Sequence, residues 1–398
     1  MAITLSVTPK IFLSPPHMSG KELEYIGNAF ASNFIAPVGE NVDLFEKSIR
    51  DFTGASEVLA TNSGTSAIHL ALIVAGVGPG DVVICQSFTF AASAYPISYQ
   101  GAIPCFVDSE PDTWNMDPEA MEEAILASLQ GNLKYNGDLK GFKSLPAQKP
   151  KAIIPVHLYG MPAKMNEIKR IAEKYNIPVI EDSAEALGSS QMGIPCGTIG
   201  DYGIFSFNGN KIITTSGGGA LLSNNLEAMS NARHLASQAK DNFVHYEHSK
   251  VGYNYRLSNI SAGIGIAQME VIEDRVQKRR EIFSLYKTFL QHNPSITFLE
   301  EPENFYSNRW LTTILIDPEK NSGVSKEKLR IHLSTLGFET RPLWKPMHLQ
   351  PIYRNFPYFG ENLSQNLFNQ GICLPSGSAM LWDDVYKVSA EINKFTLA

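Results

Sequence analysis

The sequence predicts an α/β fold in which helices cover both faces of a mostly parallel sheet, followed by a smaller C-terminal α+β domain. Between about residues 57 and 225, short apolar strand segments alternate with helical segments. Several of these strands are apolar throughout, which is typical of strands buried on both faces. Beyond residue 259 the order changes to a long helical pattern, a strand and further helices. We therefore predict a large domain at residues 1–259 and a small one at 260–398.

Apolar runs of strand length predict strands at residues 57–61, 81–85, 103–107, 151–156, 177–180, 202–207, 220–223 and 310–316. Longer patterns with helical spacing predict helices at residues 65–75, 118–129, 163–175, 260–292, 325–336 and 383–394. The helix at 260–292 is so long that we expect it to bridge two domains or to kink. The polar segment 130–149 is predicted to be a surface loop insertion.

The composition is that of a globular protein with a large core. The 398 residues are 43% hydrophobic and 18% charged, with a formal net charge of -7. No basic cluster stands out, so we expect no nucleic-acid partner and no membrane partner. The N-terminus has no signal-peptide pattern, and the four cysteines form no C-x-x-C pair. These features predict a cytoplasmic protein with reduced, buried thiols.

One lysine and one aspartate follow predicted strands. Lys211 closes the segment Phe205-Ser206-Phe207-Asn208-Gly209-Asn210-Lys211, and Asp182 ends a strand 29 positions upstream. Pyridoxal phosphate (PLP) chemistry needs these two groups, because the amine bonds to the cofactor aldehyde and the carboxylate keeps the ring nitrogen protonated. Taken alone, Lys211 is more typical of a surface turn, so the prediction depends on further motifs.

Two further motifs fit a bound phosphorylated ring. The segment 62–66, Asn-Ser-Gly-Thr-Ser, lies between a strand and a helix, where free amides and hydroxyls suit a phosphate or form an ordinary helix cap. Phe88 and Phe90 follow a strand at its carboxyl end, where they either stack on a ligand or belong to the core. His245 and His248 lack further ligand spacing, so we predict no metal site.

Five motifs in this order resemble the DegT/DnrJ/EryC1/StrS sugar aminotransferases, which are fold-type I PLP enzymes: residues 62–72, 87–90, 155–160, 181–188 and 206–211. The resemblance runs over nearly the whole chain. Residues 207–219, 252–259 and 340–345 are similar to the 4-aminotransferases of bacterial bacillosamine synthesis. The resemblance implies amino transfer from L-glutamate to C4 of a UDP-linked 4-keto-6-deoxy-N-acetylhexosamine, giving UDP-4-amino-4,6-dideoxy-N-acetylglucosamine.

The resemblance also implies roles for matching residues. Lys211 would bond covalently to the cofactor, Asp182 would pair with its ring nitrogen, Phe90 would stack on its ring, and Glu185 would lie near its 3-hydroxyl. The phosphate would be bound by Gly64, Thr65 and Ser206, with Asn254 from the partner subunit of a homodimer with shared active sites. Arg309 and His348 are candidate substrate residues. Many family members carry Gln or His in place of Glu185, and Glu in place of Ser216.

Three other functions stay open at this point. The chain could act on a different nucleotide-linked keto sugar, such as a GDP-linked one of the perosamine type. A sugar dehydratase of the same superfamily is disfavoured, since those relatives carry His where this chain has Lys211. A non-catalytic protein of this fold could sense nucleotide sugars. Bleaching of a visible-absorbing cofactor by glutamate would separate an enzyme from a sensor.

Overall fold

The computed structural model describes residues 10–139 and 142–397. Within these residues the helices are α1 (Glu22–Ala31), α2 (Glu40–Thr53), α3 (Gly64–Val74), α4 (Tyr95–Tyr99), α5 (Pro118–Leu129), α6 (Met165–Tyr175), α7 (Leu226–Ala236), α8 (Asn259–Met269), α9 (Ile272–Leu290), α10 (Lys326–Thr335), α11 (Leu363–Gln370) and α12 (Trp382–Thr396).

The strands are β1 (Glu57–Thr61), β2 (Val82–Gln86), β3 (Ile103–Val107), β4 (Lys134–Leu139), β5 (Phe142–Ser144), β6 (Ala152–Ile154), β7 (Ile180–Asp182), β8 (Ser190–Gln191), β9 (Ile194–Pro195), β10 (Tyr202–Ser206), β11 (Gly219–Ser223), β12 (Ile296–Phe298), β13 (Phe305–Tyr306), β14 (Thr312–Ile316), β15 (Arg341–Pro342), β16 (Tyr358–Phe359) and β17 (Gly371–Leu374).

The large sheet is mostly parallel, as predicted. One half has the order β16-β3-β2-β6 and is parallel throughout, and the other has the order β7-β10-β11-β1. Parallel bridges from Ile153 to Val179 and from Val156 to Asp182 join the two halves at β6 and β7. Only β11 runs antiparallel to its neighbours within this described sheet.

Both faces of the sheet are covered, which explains the apolar strands. Successive side chains of a strand point to opposite faces. On one face of β2, Ile84 packs in the same core cluster as Met121 of α5. On the opposite face, Val83 packs in the same cluster as Ile68 of α3. All four side chains are at most 2% exposed. Burial of each contributes about 1.5–3 kcal/mol, so neither face could tolerate charged residues.

The C-terminal residues form a second, antiparallel sheet in the order β12-β14-β17-β15, packed against α9, α10 and α12. This part also enters the large sheet, because β16 pairs with β3. Asp108 at the end of β3 accepts hydrogen bonds from the backbone amides of Leu363 and Ser364 at the start of α11. Residues after 259 therefore pair and bond with the large sheet, and the domain boundary at residue 259 stays a prediction.

The predicted helix at 260–292 is interrupted, in agreement with the expected kink. α8 ends at Met269 and α9 begins at Ile272. The carboxylate of Glu270, at the break, binds Lys21 Nζ at 2.8 Å and Tyr25 Oη at 2.5 Å. These contacts attach the break between the two helices to the start of α1. Within the described ranges, no helix combines the length and apolar character needed to cross a membrane.

The prediction of a loop over residues 130–149 is wrong, because β4 and β5 form an antiparallel hairpin there. Residues 140 and 141 lie outside the described residues. At the base of the hairpin, Leu145 donates its backbone N–H to the carbonyl of Leu133 at 3.0 Å. Both leucines are buried in the core beside α5 and α6. Two isolated leucines in a polar segment give too weak a pattern to predict a hairpin from the sequence.

Candidate active site

Three strands of the large sheet, β7, β10 and β1, carry the candidate residues to the same end of the sheet. Asp182 ends β7, Ser206 ends β10, and β1 leads through a short turn to Gly64 at the start of α3. Seven of the predicted site residues line one cavity of about 820 Å³: Gly64, Thr65, Phe90, Asp182, Glu185, Ser206 and Lys211. This end is where open α/β sheets bind ligands.

Asp182 is held in a fixed position by two donors. Ser93 Oγ donates to Asp182 Oδ2 at 2.6 Å, and the backbone N–H of Ala184 donates to Oδ1 at 3.1 Å. The hydroxyl of Ser93 also lies 2.7 Å from that of Thr89. Burial raises the pKa of Asp182, and these donors oppose that shift because they favour the charged form. The result is an anchored carboxyl group lining the cavity.

The neighbouring carboxylate, Glu181, has a different function. Strand alternation points it to the other side of β7. There it accepts hydrogen bonds from His157 Nε2 at 2.8 Å and from the backbone amides of Gly197 and Gly200 at 2.6 and 2.7 Å. These partners saturate a buried carboxylate that does not line the cavity. Glu181 therefore stabilises the loop between β7 and β10.

Lys211 lies between a carboxyl group and an aromatic ring. Its Nζ atom is 3.3 Å from Glu185 Oε1 and 4.3 Å from the ring centroid of Trp310. Glu185 Oε2 accepts the backbone N–H of Tyr159 at 2.7 Å. Burial raises the pKa of Glu185 to about 7, although the charge of Lys211 opposes this shift. The carboxyl of Glu185 is therefore poised to change its protonation state near neutral pH.

The turn that carries Lys211 is fixed by hydrogen bonds. The backbone N–H of Lys211 donates to the carbonyl of Asn208 at 3.0 Å. The carbonyl of Asn210 accepts from Trp310 Nε1 at 2.8 Å and from Ser14 Oγ at 2.7 Å. The lysine is thus attached to residues far from it in the sequence, which limits its freedom to leave the cavity.

The start of α3 provides donors for an anion. Ser63 caps the helix by accepting the N–H of Ser66 at 3.1 Å, which leaves the amides of Gly64 and Thr65 at the first turn beside the cavity. A Cβ added at Gly64 would lie 3.1 Å from Ser206 Cβ and 3.3 Å from the carbonyl of Phe205. Glycine therefore lets the helix start approach the end of β10. These amides and the hydroxyls of Thr65 and Ser206 are a donor set that fits a phosphate.

An exposed aromatic ring also lines the cavity. Phe90 is 58% exposed although it lines the cavity, and its ring centroid is 5.4 Å from that of Trp344. Phe88 is fully buried in the core instead. Amine, carboxyl, aromatic ring and phosphate donors around one cavity are the groups that PLP requires, so the residues fit this cofactor.

Arg309 does not line the cavity, which argues against its predicted contact with substrate. Its Nη1 atom donates to the carbonyl of Leu299 at 2.7 Å, and its Nε atom lies 3.5 Å from Glu301 Oε1. The guanidinium also lies 3.7 Å from the ring centroid of Phe283. Arg309 adopts a positive φ of 51°, and the next residue, Trp310, lines the cavity in its place.

His348 is likewise absent from the cavity lining. Its Nδ1 atom lies 2.6 Å from Ser87 Oγ, and its ring stacks on Tyr358 with centroids 3.8 Å apart. Burial lowers the pKa of His348 to about 4, so the ring is neutral at physiological pH. These contacts tie the segment after β15 to the end of β2, which is a structural function.

Asn254 lies outside the cavity of its own chain. Its Oδ1 atom accepts from Gln238 Nε2 at 3.0 Å, and its carbonyl accepts from Asn62 Nδ2 at 3.2 Å. Asn62 does line the cavity. Asn254 is exposed, so its side chain is accessible to a second subunit.

Several residues of the site have no role that the sequence predicted. Ser93, Trp310, Glu339, Arg341 and Trp344 all line the cavity. Arg341 and Trp344 belong to the segment 340–345, which resembles the bacillosamine enzymes. That resemblance could have identified both residues as candidates for the site. Ser93 and Trp310 had no local signal, because their partners Asp182 and Lys211 are 89 and 99 positions away in the sequence.

Comparison with protein families agrees with this geometry. The model of the DegT/DnrJ/EryC1/StrS aminotransferase family matches residues 16–393. The chain belongs to this family. EpsN of Bacillus subtilis (strain 168), whose name describes a pyridoxal phosphate-dependent aminotransferase, is 50% identical over 95% of this chain and 94% of its own. The GDP-perosamine synthase of Escherichia coli O157:H7 is 35% identical over 96% of this chain and 97% of its own.

Solved structures of the DegT/DnrJ/EryC1/StrS family share the fold. A family aminotransferase from Brucella abortus superposes with a TM-score of 0.85 at 29% identity, over 94% of this chain and 95% of its own. The predicted fold-type I architecture is thereby confirmed. Family membership also confirms the predicted cofactor, pyridoxal phosphate.

Proposed function

We propose that the protein transfers the amino group of L-glutamate to C4 of a UDP-linked 4-keto-6-deoxy-N-acetylhexosamine, giving UDP-4-amino-4,6-dideoxy-N-acetylglucosamine. The observation that carries amino transfer is the cavity in which Lys211 Nζ lies 3.3 Å from Glu185 Oε1, together with the anchored Asp182. Family membership supports an aminotransferase. The bacillosamine-type substrate is supported by the sequence resemblance of residues 207–219, 252–259 and 340–345.

When bound, PLP supplies an aldehyde that bonds to amines and a ring that accepts electrons from the α-carbon of the donor. Lys211 would hold the aldehyde through its amine, and once the amine of the donor has displaced it, the free Nζ atom could move a proton at the donor's α-carbon. A lysine acts as a base only when its amine is neutral. Glu185 Oε1 lies 3.3 Å from Lys211 Nζ, so its carboxylate can accept a hydrogen bond from that amine and orient it.

Each remaining residue of the site binds or orients. Asp182 would pair its carboxylate with the ring nitrogen, and Ser93 keeps that carboxylate aligned. Phe90 would stack its exposed face on the ring. The amides of Gly64 and Thr65 and the hydroxyl of Ser206 would bind the phosphate, whose charge is favoured at a helix start. The rings of Trp310 and Trp344 exclude water from the reacting amine.

A GDP-linked keto sugar is the second candidate substrate. The E. coli GDP-perosamine synthase, at 35% identity over most of both chains, favours it. Relatives named as transaminases or aminotransferases of UDP-linked sugars also match the chain, at 33% and 34% identity. Both candidates use the same Lys211 and Asp182 chemistry and differ in the base and the sugar.

The active form that we propose is a cytoplasmic homodimer with shared active sites. The exposed Asn254 would reach the phosphate site of the partner subunit. Exposed apolar side chains on the preceding segment, Phe243, Val244 and Tyr246, support a protein interface there. All four cysteines are buried with free thiols, which agrees with a reducing compartment.

A panel of nucleotide-linked keto sugars tests the substrate. Purified protein is incubated with PLP, L-glutamate and either the UDP-linked 4-keto-6-deoxy-N-acetylhexosamine or the GDP-linked 4-keto-6-deoxyhexose, and the products are identified by mass spectrometry. We expect the amino product from the UDP-linked sugar at a kcat/KM at least about tenfold higher. A preference for the GDP-linked sugar would replace the first candidate by the second.

A further inference from the structure

A second charged pair, Arg341 and Glu339, lines the cavity beside the residues already described. Arg341 Nη2 lies 2.8 Å from Glu339 Oε1. Glu339 Oε2 accepts the backbone N–H of Leu13, which also lines the cavity, at 3.0 Å. The guanidinium is therefore oriented by a carboxylate that is itself attached to the backbone.

The backbone of Arg341 is equally well fixed. It lies in β15, where it pairs with Cys373 of β17, and Pro342 follows it with a restricted φ. The side chain of Arg341 is 59% exposed and that of Glu339 only 18%. A guanidinium carries five N–H donors, and the contact with Glu339 engages one nitrogen. The other donors are accessible to a ligand in the cavity.

Arg341 is one of only two cations among the described residues that line the cavity. Among the lining residues that the structure describes, the carboxyl groups are Asp182, Glu185 and Glu339, and the cations are Lys211 and Arg341. Lys211 already contacts Glu185. A dianionic ligand would be repelled by the remaining carboxylates unless it met a cation, and Arg341 is the cation left for it.

We propose that Arg341 binds the diphosphate of the nucleotide sugar and that Glu339 orients its guanidinium for this contact. The inference rests on the proposed function, because it assigns a subsite to that substrate. The planar guanidinium matches phosphate oxygens in a two-point contact that a lysine cannot form. The carboxylates of L-glutamate could also bind a guanidinium, so the experiment measures nucleotide and glutamate separately.

Binding of a nucleoside diphosphate tests this subsite without turnover. UDP and, separately, GDP are titrated by calorimetry into the PLP-loaded wild-type protein and into Arg341→Gln, Arg341→Lys and Arg330→Gln. Arg330 is a matched control, because it pairs with Glu327 on α10 and is not among the residues that line the cavity. The KM for glutamate in the first half-reaction is measured for each variant from the absorbance of the cofactor.

We expect Arg341→Gln to weaken binding of both nucleotides by about tenfold to 100-fold, because a charge-assisted two-point contact is lost. Arg341→Lys should have an intermediate affinity, and Arg330→Gln that of the wild type. The KM for glutamate should change by less than about twofold in all of them. This pattern supports a diphosphate site that does not depend on the base.

Three results would overturn the inference: nucleotide affinity unchanged in Arg341→Gln, a raised KM for glutamate with unchanged nucleotide affinity, or equal losses in both measurements. The second would assign the guanidinium to the donor's carboxylate, and the third to the general shape of the cavity. Failure of the proposed function has a different signature. The wild-type protein would then bind UDP or GDP through Arg341 but aminate neither keto sugar.

Discussion

Glu185 Oε1 lies 3.3 Å from Lys211 Nζ, and the two side chains are only 3% and 12% exposed. At this distance Glu185 accepts a hydrogen bond from Lys211. Burial raises the pKa of Glu185 to about 7, so its carboxyl group can accept or release a proton near neutral pH. The position of the Lys211 amine is therefore linked to the protonation state of Glu185.

Glu185→Gln should change the pH dependence of the glutamate half-reaction. Glu185 accepts a hydrogen bond from Lys211 as a carboxylate, and burial raises its pKa to about 7, so the wild-type rate should rise with pH through about 7. Glutamine still accepts the Tyr159 amide but cannot ionise, so the variant should lose this pH dependence and be slower by about tenfold to 100-fold. Single-turnover absorbance of the cofactor at several pH values measures both effects. An unchanged pH profile would show that ionisation of Glu185 does not contribute to the reaction.

Ser93→Ala should slow the same half-reaction about tenfold, because Asp182 loses a charge-assisted hydrogen bond of 2.6 Å. The ionised form of Asp182 is then less favoured, and the pH at which the cofactor spectrum changes should shift. Ser98→Ala is the control, since Ser98 Oγ bonds Tyr353 Oη outside the cavity lining. Equal spectra and rates in both variants would show that Ser93 does not position Asp182.

Asp182→Asn should retain PLP but lower the turnover rate by about 10²–10³-fold or more. The neutral amide no longer keeps the ring nitrogen protonated, and preorganised electrostatics of this kind have effects of that size. The cofactor content is measured by absorbance after gel filtration, and the rate by product formation. If the turnover rate fell by less than about tenfold while the cofactor content stayed full, Asp182 would have only a structural role at the end of β7.

Asn254 tests the shared active site by complementation. Lys211→Ala and Asn254→Trp should each be inactive, because one lacks the amine and the other blocks the proposed phosphate contact. In a mixed dimer one site would combine an intact Lys211 with an intact Asn254, so about one working site per heterodimer should return. Differently tagged, co-expressed chains allow the heterodimer to be purified and assayed.

If Asn254 acts only within its own chain, each heterodimer has one site without Lys211 and one site with the altered Asn254. No activity would then return in purified heterodimers. That result would exclude a shared site but would leave the assignment of Lys211 unaffected. Homodimers of each variant, purified in the same way, are the controls.

The sequence predicted much of the large sheet because its strands are buried on both faces. The strand at residues 103–107 and the helix at 118–129 were predicted with their observed bounds. The strand before Asp182 was predicted at 177–180 but occurs at Ile180–Asp182, since its register is set by pairing with β10. Strand pairing depends on tertiary contacts, which the pattern of apolar residues cannot predict.

Residues in short motifs could be predicted as candidates from the sequence. Residues that reach the cavity only through contacts between distant parts of the chain could not. Lys211, Asp182 and the residues at the start of α3 lie in short motifs whose residue types suit PLP. Arg309 was assigned to substrate, yet Leu299, Glu301 and Phe283 engage its guanidinium. The neighbouring Trp310 contacts Lys211 and lines the cavity instead.

Transfer of labelled nitrogen from glutamate to the keto sugar is the most direct measurement of amino transfer by this protein. The protein, loaded with PLP, is incubated with L-glutamate labelled with ¹⁵N at the α-amino group and with the UDP-linked 4-keto-6-deoxy-N-acetylhexosamine. We expect an amino sugar nucleotide that carries the ¹⁵N label, formed with an equal amount of 2-oxoglutarate, and none from a folded Lys211→Ala variant. Labelled product from Lys211→Ala at the wild-type rate would exclude Lys211 as the essential amine, and no labelled product from the wild-type protein would exclude amino transfer to this sugar.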